Sequence, residues 1–259
     1  MILLNPKQHT RTYPDEASRQ LMIDTIAFFE SKGRGKLKKD DHERTWYQDF
    51  LDFQKEHKLF ARLLTPATYG GGDADYRWDT YRNCEFNEIL GFYGLGYWYT
   101  WQVSILGLGS IWISDNEEVK KKTAELLKEG GVFGFGLSEK EHGADIYSTE
   151  MLLVPQDDPG HYLANGHKYY IGNGNIAALV STIGKIKKPG EEDTDKYSHF
   201  AFFVVGSKHG KYEVVKNIVN SQSFVAEYAL HDYPIEEADV LAKGRDAWDM
   251  ALNTVNIGK

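Results

Sequence analysis

The chain has 259 residues, of which 41% are hydrophobic and 26% charged, a composition typical of a globular protein with a substantial core. Its formal net charge of −8 disfavours binding to nucleic acid or to an anionic membrane surface, because both attract basic proteins. A single cysteine, Cys84, excludes a disulfide framework and a cysteine-rich zinc site, and no histidine spacing indicates a metal. We therefore expect a cytoplasmic protein with no metal site.

The first half of the chain has helical periodicity. Apolar residues recur at helical spacing in Asp15–Ser31, and Gly33 and Gly35 follow as stop signals. The same pattern predicts two more helices, over Tyr76–Tyr93 and Tyr97–Ile113.

Three single residues in this half also allow predictions. Cys84 falls in the helical stretch RNCEFNEIL, where a small buried residue is expected rather than a nucleophile. Ser114 and Glu117 have the spacing of a capping box, so a helix should begin there, and Gly130 should end it.

An uncharged stretch, Ile89–Ser114, is 26 residues long and could cross a bilayer. It contains five glycines and Gln102, however, and has no basic anchor directly beside it. Two closely packed buried helices, or a helix lining an apolar pocket, are therefore favoured over a membrane span. The first residues, MILLNPKQHTRTYPDE, lack the apolar run of a secretory leader, so none is expected.

After Gly131 the hydrophobic period changes to two, and at least six β-rich runs follow. Asn165-Gly166 predicts a tight hairpin turn, because this dipeptide suits the twist of antiparallel strands. Strands at this spacing predict an antiparallel barrel or sandwich. A last helix should begin after Gly244.

The sequence GNGNIA at residues 172–177 formally matches the glycine fingerprint of dinucleotide-binding proteins. That site requires a helix to begin at the glycines, whereas the residues that follow, AALVSTIGKI, are strand formers. We therefore reject this interpretation.

Two turns carry the candidate functional residues. GFGLSEKEHGAD (134–145) and KYYIGNGN (168–175) both change abruptly from an apolar strand to a polar, glycine-containing loop. If both lie on one sheet, Tyr170 could offer an aromatic face to a planar ring, and Ser138 with backbone amides could contact its polar edge. The alternative is that each is an ordinary surface turn.

The order of the motifs resembles the acyl-CoA dehydrogenase family. The segments that carry the resemblance are TPATYGGGDAD (65–75), DNEEVKKK (115–122), FGFGLSEKEHGAD (133–145), LANGHKYYIGNG (163–174) and YPIEEADVLAKG (233–244). The resemblance implies an α+β protein: an N-terminal all-α helical domain (1–131), an antiparallel β-barrel domain (132–244) and the start of a truncated C-terminal helical bundle (245–259).

The resemblance also implies a function: α,β-dehydrogenation of an acyl-CoA thioester to the 2-enoyl-CoA with FAD as cofactor, within fatty-acid metabolism. The implied cofactor-binding residues are Phe135, Leu137, Ser138, Gly143, Ala144, Tyr170, Ile171 and Gly172. The implied substrate-binding residues are Ser138, Ala144 and Gln102. The catalytic base is expected beyond Lys259. The implied partners are electron-transfer flavoprotein or another acceptor and, as a dimer or tetramer, further copies of the protein.

The chain departs from the family pattern at two positions, since Gly172 and Ala144 stand where threonine and serine are usual. His142-Gly143 together with Gly172 resembles the acyl-CoA oxidase branch, which remains an alternative. A non-catalytic flavin or acyl-CoA binding module is the other.

Other residues near these motifs are interpreted more plainly. Glu139 and Glu141 are expected to be solvated rather than to act as the base. By the resemblance, Tyr97, Trp98, Tyr99 and Trp101 fall where an acyl pocket is lined, with core packing as the alternative. If some of them face the pocket, their bulk favours a short or flat acyl group.

Overall fold

The computed structural model of the protein describes residues 13–193 and 195–257. The α-helices in this part of the chain are α1 (Glu16–Glu43), α2 (Gln48–Glu56), α3 (Leu59–Leu64), α4 (Thr80–Tyr93), α5 (Leu95–Ile113), α6 (Glu117–Lys128) and α7 (Gly244–Ile257). The strands are β1 (Phe133–Gly136), β2 (Leu152–Pro155), β3 (His161–Gly172), β4 (Leu179–Ile186), β5 (Phe200–Val205), β6 (Tyr212–Asn217), β7 (Val225–Glu236) and β8 (Val240–Lys243). The predicted order, helices followed by a sheet, is confirmed.

The chain forms two compact units. The first contains the described residues up to Trp101 with Ala124–Gly131 and Asn220–Ser223, and the second contains Gln102–Thr123, Val132–Val219 and the described residues from Phe224 onward. The domain boundaries inferred from the sequence (1–131, 132–244 and 245–259) remain a prediction.

Helix α1 begins where the sequence predicts and ends later. The carboxylate of Asp15 accepts a hydrogen bond from the Ser18 N–H at 2.7 Å, which caps the first turn. Gly33 has φ +72 and interrupts the helical backbone, but a second helical stretch follows it as far as Glu43. The prediction that the helix ends at these glycines is therefore wrong, because Gly33 bends the helix without ending it.

The uncharged stretch covers the end of α4 and the whole of α5, and the two helices are separated at Gly94. No helix in the described part of the chain is long and apolar enough to cross a membrane. Cys84 is exposed on α4, so the prediction of a buried cysteine is wrong. The capping box at Ser114 is also wrong: Asn116 caps α6, its side-chain oxygen accepting from the Val119 N–H at 3.0 Å.

An aromatic core stabilises the first unit. Tyr97 packs edge-on against Phe29 and Phe50, with ring centroids 4.9 and 5.2 Å apart. Trp101 packs in the same way against Phe60 and Phe86, at 5.1 and 4.7 Å. Each such ring buries a large apolar area and adds a specific edge-to-face contact. Tyr97 and Trp101 are thus core residues, which was the alternative to a pocket-lining role.

The strands of the second unit form one sheet in the order β6-β7-β3-β2-β4-β5-β8, and β1 pairs with β4 outside this path. Most pairs are antiparallel, as predicted. The pairs β1–β4 and β2–β4 are parallel, so an all-antiparallel sheet is wrong.

These two parallel pairs have a common origin. Gly136 at the end of β1 pairs with Thr182, and Leu152 at the start of β2 pairs with Lys185, so β1 and β2 lie in line along one edge of β4. Only Ile183 and Gly184 of β4 separate the two paired segments. The intervening chain, residues 137–151, leaves the sheet at the end of β1 and returns to the same edge.

The predicted hairpin at Asn165-Gly166 does not form. Strand β3 continues through both residues and pairs with β7 on either side, with a register shift between Ala164 and Gly166. The Asn165 amide donates to the Asp232 carboxylate at 3.0 Å and accepts from the Asp232 N–H at 3.0 Å, so the dipeptide forms a bulge. The prediction is wrong because a cross-strand partner satisfies the residues that would otherwise turn.

Close packing joins helix α5 to the sheet within the second unit. A Cβ at Gly107 of α5 would lie 2.5 Å from the carbonyl oxygen of Gly134 in β1, so only glycine allows this approach. Ser181 adds a hydrogen bond from its hydroxyl to the Gly107 carbonyl at 2.8 Å. The helix therefore holds the strand that leads into the first candidate turn.

Two further sequence interpretations are confirmed. The glycines of GNGNIA lead into strand β4 rather than a helix, so the fingerprint match has no structural counterpart. Helix α7 begins at Gly244, as predicted, and buries Trp248.

Candidate functional site

The two turns singled out in the sequence lie side by side. The Ser138 hydroxyl donates to the Tyr169 carbonyl at 2.7 Å, and the Tyr169 N–H donates to the Ser138 carbonyl at 2.9 Å. These reciprocal bonds fasten the residue that follows β1 to the end of β3. Because its hydrogen is used within the chain, the Ser138 oxygen is left as an acceptor for any bound group.

Tyr170 occupies a strained position next to this contact. The pairing of β3 with β7 shifts between Lys168 and Ile171, and Tyr170 adopts φ +69 in the left-handed region. Its side chain is 58% exposed. A bulky residue in this backbone region costs about 1–3 kcal/mol and occurs preferentially at functional sites. The bulge therefore presents an aromatic ring beside the Ser138 turn.

A buried ion pair lies directly beneath the turn. The Lys168 ammonium is 2.8 Å from the Glu139 carboxylate and also donates to the Leu137 carbonyl at 3.0 Å and to the Thr149 hydroxyl at 3.1 Å. Lys168 is fully buried and Glu139 is 7% exposed. The prediction that Glu139 is solvated is wrong, because this lysine and its neighbours supply the partners that water would otherwise provide.

Glu139 accepts four hydrogen bonds in all. Besides Lys168, its donors are the Thr149 hydroxyl, the Glu150 N–H at 2.8 Å and the Met151 N–H at 3.3 Å. Burial alone would raise the pKa of Glu139, but the Lys168 charge and these hydrogen bonds outweigh it and hold the pKa below its ordinary value. The carboxylate thus stays ionised and ties residue 139 to residues 149–151, at the two ends of the excursion.

The remaining predicted cofactor residues have varied surroundings. Phe135 and Leu137 are half-buried, and the Phe135 ring packs edge-on against Phe202, with centroids 6.0 Å apart. Ile171 and Gly172 are buried at the end of β3.

The exposed part of the excursion holds the other predicted residues. Gly143 and Ala144 lie on it, and a Cβ at Gly143 would meet nothing within 4 Å. Glu141 is exposed there too, as predicted. Gln102 is half-buried on α5, away from both turns in sequence, so its role in binding substrate remains a prediction.

Sequence reasoning missed three supporting residues: Lys168, Thr149 and Asn173. The side chain of Asn173, 1% exposed, donates to the Phe133 carbonyl at 2.9 Å and thereby ties the end of β3 to the start of β1. The signal for Lys168 was available, since a lysine on the inward-facing side of a strand requires a buried partner.

The site combines an exposed tyrosine, a hydroxyl oxygen and a fastened turn at the end of a strand, and such an arrangement can contact one side of a planar ring. Helices precede the sheet that carries it. The comparisons with known proteins agree with this order of helices and sheet.

No protein-family model matches the chain. By sequence, the chain is 28% identical over 209 residues to an acyl-CoA dehydrogenase of Bacillus subtilis (strain 168), covering 79% of this chain and 52% of that protein. It is 26% identical over 243 residues to a short-chain-specific acyl-CoA dehydrogenase of Megasphaera elsdenii, covering 90% and 60%. The chain therefore spans little more than half the length of these curated relatives.

Solved structures show the same fold. Butyryl-CoA dehydrogenase from Megasphaera elsdenii superposes with a TM-score of 0.81 at 20% identity, covering 96% of this chain and 64% of that one. An acyl-CoA dehydrogenase from Bacillus anthracis, complexed with FAD, superposes with a TM-score of 0.77 at 21% identity, covering 99% and 41%. The sequence relatives and the shared fold together support a relationship to the acyl-CoA dehydrogenase family. The resemblance inferred from the sequence motifs is confirmed.

Proposed function

We propose that the chain is the helical and β-sheet part of an FAD-dependent acyl-CoA dehydrogenase-like oxidoreductase. The observation that carries the proposal is the Ser138 turn, fastened to Tyr169 by two hydrogen bonds beside the exposed Tyr170 ring. The names of the sequence relatives, and the FAD complex among the solved structures of this fold, support it.

The residues present suit one side of a flavin. The exposed ring of Tyr170 offers a face for stacking, and the Ser138 oxygen offers an acceptor to a ring N–H at the polar edge. Phe135, Leu137, Ile171 and Gly172 flank these two groups along the chain, and Gly143 and Ala144 supply exposed backbone. Bound FAD would supply the acceptor for the hydride of the acyl β-carbon.

Within this reaction the residues of this chain position the ring and the turn and do not take part in the chemical steps. Ser138 and Tyr170 orient the ring. The buried pair of Glu139 and Lys168 keeps the turn in place from below, since Lys168 also holds the Leu137 carbonyl. We propose that Ser138, Ala144 and Gln102 contact the substrate.

The remaining parts of the reaction lie outside these residues. This chain matches 52% and 60% of the length of these two curated relatives, and we propose that the catalytic base is located outside the matched part. The substrate class is an acyl-CoA thioester, the electron acceptor is electron-transfer flavoprotein or a similar protein, and the assembled enzyme is a homo-oligomer. A carboxylate base is needed because the α-proton is only weakly acidic. Residues 1–259 alone should therefore not bleach FAD anaerobically with acyl-CoA.

The test of the cofactor site is FAD binding by the full-length protein. Tyr170→Ala should weaken binding roughly tenfold, because stacking of a ring on an aromatic side chain contributes about 1–3 kcal/mol. Ser138→Ala should weaken it as well, since the turn loses its hydrogen bond to Tyr169. The control is Tyr81→Ala, which removes another exposed tyrosine, 49% accessible, on helix α4.

Three outcomes contradict the proposal. They are that the protein takes up no FAD on reconstitution, that Tyr170→Ala binds FAD as tightly as Tyr81→Ala, or that the FAD-loaded protein reduces no acceptor with any acyl-CoA. Peroxide formed stoichiometrically in air would instead indicate the oxidase alternative.

A further inference from the structure

A cleft of about 500 Å³ lies within the first unit, far along the sequence from the Ser138 turn. It is bounded by the second half of α1 and by the turn between α4 and α5. The residues that define it are Arg34, Leu37, Lys38, Phe92, Leu95 and Gln222. Its volume falls within the range of small-molecule sites, about 300–1,000 Å³.

The floor of the cleft is preformed. Tyr97 is 2% exposed and is held by the aromatic core described above. Its hydroxyl accepts from the Lys32 ammonium at 3.3 Å, and the hydroxyl of the neighbouring Tyr93 donates to Glu30 at 2.7 Å. Because both hydroxyls have partners, the rings of Tyr93 and Tyr97 are held in place where they line the cleft.

The rim combines cations with apolar surface. Arg34 and Lys38 are one helical turn apart on α1, so both lie on the side that faces the cleft. The Arg34 guanidinium lies 5.7 Å from the centre of the Phe92 ring. Phe92 and Leu95 are 37% and 72% exposed and supply the apolar surface of the rim. Asp41 also lines the cleft, so its charged groups are two cations and one carboxylate.

We propose that this cleft binds a small amphipathic carboxylate, with its apolar body against Phe92 and Leu95 and its carboxylate between Arg34 and Lys38. A carboxylate matches the planar donor geometry of a guanidinium, and an aromatic or short aliphatic body covers the exposed apolar side chains. This proposal does not rest on the proposed flavin site.

The test is a titration of the chain with 2-naphthoate, followed by heteronuclear NMR, with 2-naphthylmethylammonium as the probe of opposite charge. The amide shifts should move saturably at residues 34–38, 92–96 and 222, and the ammonium should bind more weakly. Arg34→Ala with Lys38→Ala should weaken naphthoate binding by roughly fivefold or more, since two charge-assisted contacts are lost.

The matched control is Lys39→Ala, which removes an exposed cation from the neighbouring position on the same helix, outside the cleft. It should leave the affinity unchanged within about twofold. The proposal is overturned if naphthoate does not bind saturably, if the ammonium binds equally well, or if Lys39→Ala is as damaging as Lys38→Ala. Shifts confined to the Ser138 and Tyr170 turns would overturn it too.

Discussion

Replacing Lys168 by methionine tests the role assigned to the buried ion pair. The ammonium is fully buried and has three acceptors: the Glu139 carboxylate, the Leu137 carbonyl and the Thr149 hydroxyl. Methionine fills a similar volume but leaves Glu139 as a buried charge without a counterion. Removing one partner of such a pair costs about 3–5 kcal/mol, a large part of the 5–15 kcal/mol that stabilises a typical domain.

The assay is urea unfolding of the chain at pH 7, with Lys216→Met as the control. Lys216 pairs with Glu227 at 3.3 Å on the same sheet but is 56% exposed, so its loss should cost no more than about 1 kcal/mol. Adding Glu139→Gln to Lys168→Met should recover at least about 2 kcal/mol, because the uncompensated charge is then gone. Equal losses for Lys168→Met and Lys216→Met, or no recovery in the double variant, would refute the reasoning.

Two further outcomes follow from contacts described above, and both are measured by denaturant unfolding. Because the pKa of Glu139 is held below its ordinary value of 4.5, its contribution to stability should be complete above that pH and should be lost as the pH falls through the lower folded value. Glu139→Gln should flatten this acid dependence, and an unchanged slope between pH 5 and pH 2 would contradict it. Gly107→Ala should cost about 1–3 kcal/mol, since the new Cβ would lie 2.5 Å from the Gly134 carbonyl oxygen. Gly35→Ala on α1, where a Cβ meets nothing within 4 Å, should instead stabilise by up to about 1 kcal/mol, and equal effects at the two glycines would exclude the steric explanation.

Sequence periodicity predicted the order of elements because it records which face of a helix or strand is buried. It failed where a local signal competes with a distant partner. Asn165-Gly166 is a strong turn signal, yet Asp232, remote in sequence, takes up the hydrogen bonds of Asn165 and keeps the strand continuous. Gly33 is also a strong local signal, in this case for the end of a helix, but the chain resumes its helix beyond it.

Only the residues at the surface of the candidate site could be predicted from the sequence, and not the contacts that hold them. Ser138 and Tyr170 stand out as polar or aromatic residues at the ends of apolar runs. The reciprocal bonds between Ser138 and Tyr169, and the left-handed backbone of Tyr170, depend on how β1 and β3 meet. The state of Glu139 could not be inferred without its partner Lys168, 29 positions further on, because a glutamate in a polar turn is ordinarily solvated.

Because β1 and β2 are aligned along one edge of β4, the pairing of these strands does not depend on the loop that connects them. Residues 137–151 leave a nearly continuous strand line and rejoin it after only two residues of β4, so the register of the sheet does not depend on how long the excursion is. The Glu139 carboxylate closes it at its base by binding residues 149–151. Tyr147 is anchored by stacking on Trp248, with ring centroids 4.0 Å apart. Residues 140–146 can therefore be lengthened, shortened or replaced while the scaffold keeps its pairing, which leaves the chemistry of this rim open to change independently of the fold.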